Sequence, residues 1–258
     1  MVMFQHVDGS RRNSISKHWI AILTASMLCL GITVAFSDDE RDPVITVTEK
    51  VDDERIVHVF SVSEAYEYAL SLEKQDLYLR AVPFYQGIIA IQPDNSDAHA
   101  RLGYIFYMSK EYNKAQEEFE WKLTRDPNDV QANLLLGFTY QYGKKDPLSA
   151  LKYYEQAIKN SEGDEKVAAL EFAGDIYQLV LRDWDKAIEY YRLILHIQPN
   201  NVKTHFNLGA CLANAGNFEE AIAQFQEVIN TAQNSNHPEL FEKAQQAIVA
   251  VESAQKSK

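Results

Sequence analysis

The chain is poor in the residues that staple or metallate a protein. It has two cysteines and seven histidines in 258 residues, and neither type clusters. Cys29 lies in an apolar run and Cys211 in a helical pattern, so no disulfide is expected. No local group has the ligand spacing of a metal site. Cations are short as well: 25 Lys and Arg stand against 37 Asp and Glu, a net charge of −12. That balance argues against nucleic acid, whose phosphates reward dense Lys/Arg faces. Gly-rich phosphate loops, His-Glu-x-x-His and Gly-x-Ser-x-Gly are all missing. The paired acids Glu117-Glu118 and Glu219-Glu220 read as solvated helix faces, not as carboxylates converging in a pocket. No catalytic residue, metal or cofactor is assigned, and enzymatic activity is not expected.

A charge-free run, Trp19 to Phe36, follows Arg11, Arg12 and Lys17 and precedes Asp38, Asp39 and Glu40. As a helix it would span about 27 Å, near the lower limit for crossing a bilayer. Residues 1–18 would then be a basic cytoplasmic tail and the C-terminal bulk would face the extracytoplasmic side, the periplasm in a bacterium. The competing reading is a signal peptide cleaved at the small-x-small site Ala35-Phe36-Ser37, releasing a soluble periplasmic or secreted protein. Residues 37–61 read as an acidic linker. Two β-prone runs in it, 44–48 and 56–60, flank Asp52-Asp53-Glu54 and make either a hairpin or an extended spacer.

What the sequence does have is an internal period. Ala81, Ala115 and Ala187 each stand twelve residues before a proline, Pro93, Pro127 and Pro199. An aromatic follows each by four, Tyr85, Phe119 and Tyr191, and two further alanines, Ala150 and Ala221, are followed in the same way by Tyr154 and Phe225. Leu102-Gly103 and Leu208-Gly209 precede their alanines, and Leu136-Gly137 and Ala173-Gly174 match them with one residue more. Small residues permit close helix crossings, and an alanine four before an aromatic shares its helix face. Proline stops the helix. Such a unit cannot bury its apolar stripe alone and must stack on neighbours.

This pattern resembles the tetratricopeptide repeat. The resemblance implies an all-α, right-handed superhelical solenoid of antiparallel helix pairs, preceded here by the N-terminal hydrophobic helix. Five repeats are counted, at 62–95, 96–129, 130–166, 167–201 and 202–235, with a capping helix and tail over 236–258. Leu240, Phe241, Ala244, Ala247, Ile248 and Val251 supply the cap's apolar stripe. Repeat three has an extra residue in its inner turn and no closing proline, and repeat four an extra residue before Trp184. His99 and His205 fall at matching places where the family packs a bulky residue.

The resemblance also implies a concave groove, lined by the first helix of each repeat, that binds a peptide or extended segment of a partner protein. By register its residues are Arg101, Tyr104 and Tyr107; Leu134, Phe138, Gln141 and Tyr142; Phe172 and Asp175; and Lys203 and Asn207. Asp97, Met108, Glu171, Gln178, Leu179 and Asn214 extend it. Lys203 and Asn207 match two places of the clamp with which some members hold a carboxylate terminus, but Glu171 and Asp175 carry the wrong sign for the rest. The expected function is a non-catalytic adaptor, tethered to or exported across a membrane; the alternatives are a permanent structural subunit of an envelope or secretion assembly and, last, an enzyme with an unrecognised site. Oligomeric state is not specified by the sequence.

Overall fold

The computed structural model describes residues 31–36, 43–51, 54–232 and 238–256. Residues 19–30, most of the expected membrane helix, lie outside them, as do Ser37 and the basic tail. The chain divides into two compact units, Met1–Asp94 and Asn95–Lys258.

The first unit adds a small sheet to the helices of the expected solenoid. It contains an antiparallel sheet of three strands in the order β1 (Gly31–Phe36), β2 (Pro43–Val51), β3 (Glu54–Phe60). The last six residues of the expected membrane helix are therefore a strand, paired from Gly31 opposite Thr48 to Phe36 opposite Pro43. β-Branched Ile32, Thr33 and Val34 suit an extended backbone as well as an apolar helix, so composition alone does not decide between them. The two β-prone runs of the linker are β2 and β3, with Ile45 opposite Phe60 and Val47 opposite His58.

The sheet rests on α1 (Val62–Glu73) and α2 (Tyr78–Ile91). Ile45 and Val47 alternate inward and are buried, whereas Val57 and Val59 of β3 are exposed. A Cβ added to Gly87 of α2 would lie 2.7 Å from Ile45 Cγ2, so the glycine is what lets strand and helix meet. Phe60, Tyr68 and Phe84 close the corner, with ring centroids 5.0–5.3 Å apart. Ser61 turns the chain from β3 into α1 through a capping box with Glu64. Its backbone and hydroxyl hydrogen bonds hold the Glu64 carboxyl below its usual range. Pro83 falls in the second turn of α2, where its missing N–H forgoes one helical hydrogen bond.

The second unit is a stack of helix pairs: α3 (Ser96–Met108) with α4 (Tyr112–Arg125), α5 (Val130–Phe138) with α6 (Pro147–Asn160), α7 (Gly163–Ile176) with α8 (Trp184–Ile197), and α9 (Val202–Asn214) with α10 (Phe218–Ala232). In each pair the aromatic of the second helix lies under the glycine of the first. Phe119 faces Gly103, Tyr154 Gly137, Tyr191 Gly174 and Phe225 Gly209. All four rings are fully or almost fully buried. Asn95, Asp129 and Asn201 cap the first helices, each accepting from the backbone N–H three residues on. α11 (Pro238–Lys256) ends the stack, burying Ala244 and Val251 against the core of the last two pairs.

Proline sets the joints. Gln92, Asp126 and Gln198, each before a proline, adopt nearly one conformation, with φ from −124° to −131° and ψ from 79° to 90°. Where the proline is missing, Ser161 is instead fully extended at φ −115°, ψ 164° and Gly163 opens α7 at φ +56°. The two extra residues are absorbed at the other end of the pair. Regular turns close with Glu111 N–H donating to Phe106 and Asn217 N–H to Leu212, five residues back. In repeats three and four the chain makes π-helical turns, Thr139–Lys144 and Tyr177–Leu181. There Asp146 and Asp183 donate six residues back, to Tyr140 and Tyr177, both at 2.9 Å. The wider ring takes up one residue without moving the glycine–aromatic contact upstream or the capping aspartate downstream.

Candidate protein-binding groove

The groove residues expected from the sequence lie on the first helices α3, α5, α7 and α9 and on the π-helical turns that continue α5 and α7, which carry Gln141, Tyr142, Gln178 and Leu179, all in the second unit. Five residues after the helix glycine stand Met108, Tyr142 and Leu179, and these are 49%, 46% and 71% exposed. The same apolar position is thus left open in three consecutive repeats; the next repeat has Asn214 there, also exposed. Beside this row is a half-buried aromatic floor. Phe138 meets Phe172 edge-on at 4.6 Å, and Phe172 stacks on buried Tyr154 at 5.5 Å. Tyr142 lies 6.2 Å from Phe138, and Tyr107 6.0 Å from Tyr112. Burial, and after it the neighbouring phenols of Tyr112, Tyr142 and Tyr104, push the Tyr107 hydroxyl above its ordinary range.

Polar groups of the floor are engaged from below. The Tyr154 hydroxyl donates to Gln141 Oε1 at 2.7 Å, and burial holds that phenol far above its ordinary pKa. The Tyr191 hydroxyl lies 2.8 Å from Asp175 Oδ1 and 2.7 Å from Gln178 Oε1. With one proton to give, it donates to the carboxylate, the stronger acceptor. Lys203 Nζ is 3.9 Å from Glu171 Oε2, so the cation of the would-be carboxylate clamp already faces an acid. Asn207 is half-buried and Arg101 exposed.

Leu134 departs from the expectation. It is 8% exposed and packs in the core with Ala150, Leu151, Ala169 and Ala173, because α5 turns that position toward α6 and α7. His99 and His205 pack, as their register suggests: His99 stacks on Trp121 at 3.5 Å and bonds Glu118 through Nδ1, and His205 bridges Gln224 and the Pro199 carbonyl. The sequence reading missed two tyrosine pairs, Tyr140 with Tyr153 and Tyr177 with Tyr190, at 5.4 and 5.3 Å. Their signal was a tyrosine three residues after both the glycine and the alanine of repeats three and four. Glu155 accepts from Tyr177 at 2.9 Å and from Tyr190 at 3.5 Å, tying repeat three to repeat four. Among the described residues no cluster of His, Cys, Asp or Glu could hold a metal ion. Among them, too, no helix is long and apolar enough to cross a membrane.

Comparison with known proteins bears on the same helices. Residues 138–202 and 181–254 each match a family model described as tetratricopeptide repeat. Superkiller complex protein 3 of Mus musculus is 25% identical over 129 residues, 48% of this chain but 8% of that protein. Anaphase-promoting complex subunit 3 of Schizosaccharomyces pombe is 24% identical over 159 residues, 60% of this chain and 23% of its own length. The chain thus spans less than a quarter of either relative. Among solved structures, MamA superposes with a TM-score of 0.59 at 19% identity, covering 67% of this chain and 92% of MamA. YrrB, described as a TPR protein with an unusual peptide-binding site, gives 0.58 at 19% identity over 72% of this chain and 92% of YrrB. PilW, a type IV pilus biogenesis factor, gives 0.54 at 18% identity over 76% of this chain and 93% of PilW. Family models, helix geometry and solved structures agree, and the helix pairs over residues 138–254 are tetratricopeptide repeats.

Proposed function

We propose that this protein is a non-catalytic adaptor that binds segments of partner proteins on the face of α3, α5 and α7, and that its N-terminal apolar run tethers it to a membrane or exports it across one. The observation that carries the adaptor reading is the open row Met108, Tyr142 and Leu179. Three consecutive repeats leave an apolar side chain in solvent at a position the core does not use, beside the Phe138–Phe172 floor. Exposed aromatic and aliphatic side chains in register offer anchors that bury area at small entropic cost. YrrB, a peptide-binding protein of the same fold, is consistent with such a use.

The test is the full chain with Tyr142→Ala and Leu179→Ala combined. Capture of its partners from membranes should be lost, while the melting temperature stays within a few degrees of the parent, as expected for exposed positions. A fall in stability as large as that of the core truncation Leu134→Ala would show the row to be structural. N-terminal sequencing of the mature protein tests the N-terminal part: a start near Ser37 means export and cleavage, an intact run means a tether.

A further inference from the structure

The chemistry of the groove narrows its partner. At the position one after the helix glycine, α3 has Tyr104 and α5 has Phe138, but α7 has Asp175. This carboxylate is half-buried on the aromatic face. Its Oδ1 takes the Tyr191 hydroxyl proton at 2.8 Å, and among the described residues no cation lies within ion-pair distance of it. The nearest basic candidate on α9, Lys203, is turned to Glu171, one helical turn before Asp175 on α7. Tyr142, 46% exposed, lies 6.2 Å from Phe138, and Phe138 meets Phe172, one helical turn before Asp175 on α7, at 4.6 Å; burial, and after it the charge of Asp175, raise the Tyr142 phenol. A partly desolvated carboxylate next to an exposed ring is a receptor for a cation, which gains from the charge and from the ring face together. Phe138, beside Tyr142, and exposed Leu179, one turn beyond Asp175, supply apolar surface there.

We propose that the groove binds a basic, apolar protein segment, with an Arg or Lys side chain seated between Tyr142 and Asp175 and neighbouring apolar side chains on Phe138 and Leu179. The inference rests on the adaptor reading and sharpens it. It fits a chain of net charge −12, for which a cationic segment is the complementary partner.

The experiment selects a random peptide library on the immobilised full chain. Enriched sequences should carry Arg or Lys beside Leu, Met, Phe or Tyr. A synthetic representative should bind about tenfold tighter than its Arg→Gln version. Asp175→Asn, which keeps the shape and the Tyr191 contact, should erase that difference. Tyr142→Ala, at an exposed site, should weaken both peptides. Enrichment of apolar or acidic peptides without a basic residue overturns the proposal and leaves the adaptor reading standing. Enrichment of no peptide at all, with Tyr142→Ala and Leu179→Ala still capturing partners, overturns both. Self-association that Tyr142→Ala abolishes would make the occupant a second copy and also overturn the proposal.

Discussion

A Cβ on Gly103 would sit 2.5 Å from Phe119 Cε1, and one on Gly174 3.1 Å from Tyr191 Cε1. The difference of a few tenths of an ångström separates two outcomes. Gly103→Ala must displace a fully buried ring, costing about 1–3 kcal/mol. Gly174→Ala asks its neighbour to yield slightly, and the gain in helix propensity, about 1 kcal/mol, offsets that. Urea denaturation should therefore find the first destabilised and the second close to neutral; equal losses would mean the glycines serve some purpose other than the ring contact. Cys211 makes a second residue-scale case. Burial, and secondarily Asp175, push its thiol from 9.0 to about 12, roughly a thousandfold less thiolate near neutrality. In a Cys29→Ser background, labelling of Cys211 by a thiol reagent should be negligible in the native protein and prompt in denaturant. Fast native labelling would contradict the packing of α9.

The helix pairs show what spacing can and cannot convey. Repeat boundaries, the glycine–aromatic contact and the capping helix were legible, because small residue, aromatic and proline occupy fixed places that each answer to a steric need. The slip from twelve to thirteen residues between glycine and alanine was legible too, but not its form: a looser loop and a π-helical turn use the same count. Leu134 was not legible as a core residue, because Glu171 and Phe206 share its register and are only half-buried, so register alone does not tell which repeat turns this position inward. Strand β1 was hidden because a short apolar run without polar alternation has no period to read. The wide turns end in Lys145 at φ 59° and Arg182 at φ 52°, a left-handed conformation that a side chain disfavours. Lys145→Gly or Arg182→Gly should each stabilise the protein by about 0.5–1 kcal/mol, measured by thermal melting. Gly216 already holds the equivalent place in repeat five, so its replacement by Lys should cost a similar amount.

The molecule as a whole carries an alkaline liability. Burial raises the phenol of Tyr153 from 10.0 to about 12, with Tyr140 and Glu120 adding to it, and raises Tyr154 and Tyr191 further. A phenol whose folded pKa exceeds its unfolded value contributes stability that is complete below pH 10 and lost as pH climbs toward the folded value. Stability should be flat through neutral pH and fall steadily above pH 10, with phenolate absorbance rising in one step as the repeats open. Independent ionisation of all tyrosines near pH 10 in a folded chain would refute the burial of the second-helix rings.

The strand Gly31–Phe36 places a different constraint on the same molecule. A membrane helix that keeps this strand retains only residues 19–30 of the charge-free run, about 18 Å against a hydrocarbon core of about 30 Å. Sheet and span therefore compete for six residues. Insertion of the full run, or cleavage beside Ser37, takes β1 away from β2 and leaves a row of backbone groups open along residues 43–48. If the N-terminal run is inserted or cleaved as proposed, the first unit would offer a vacant sheet edge to which another strand can be added.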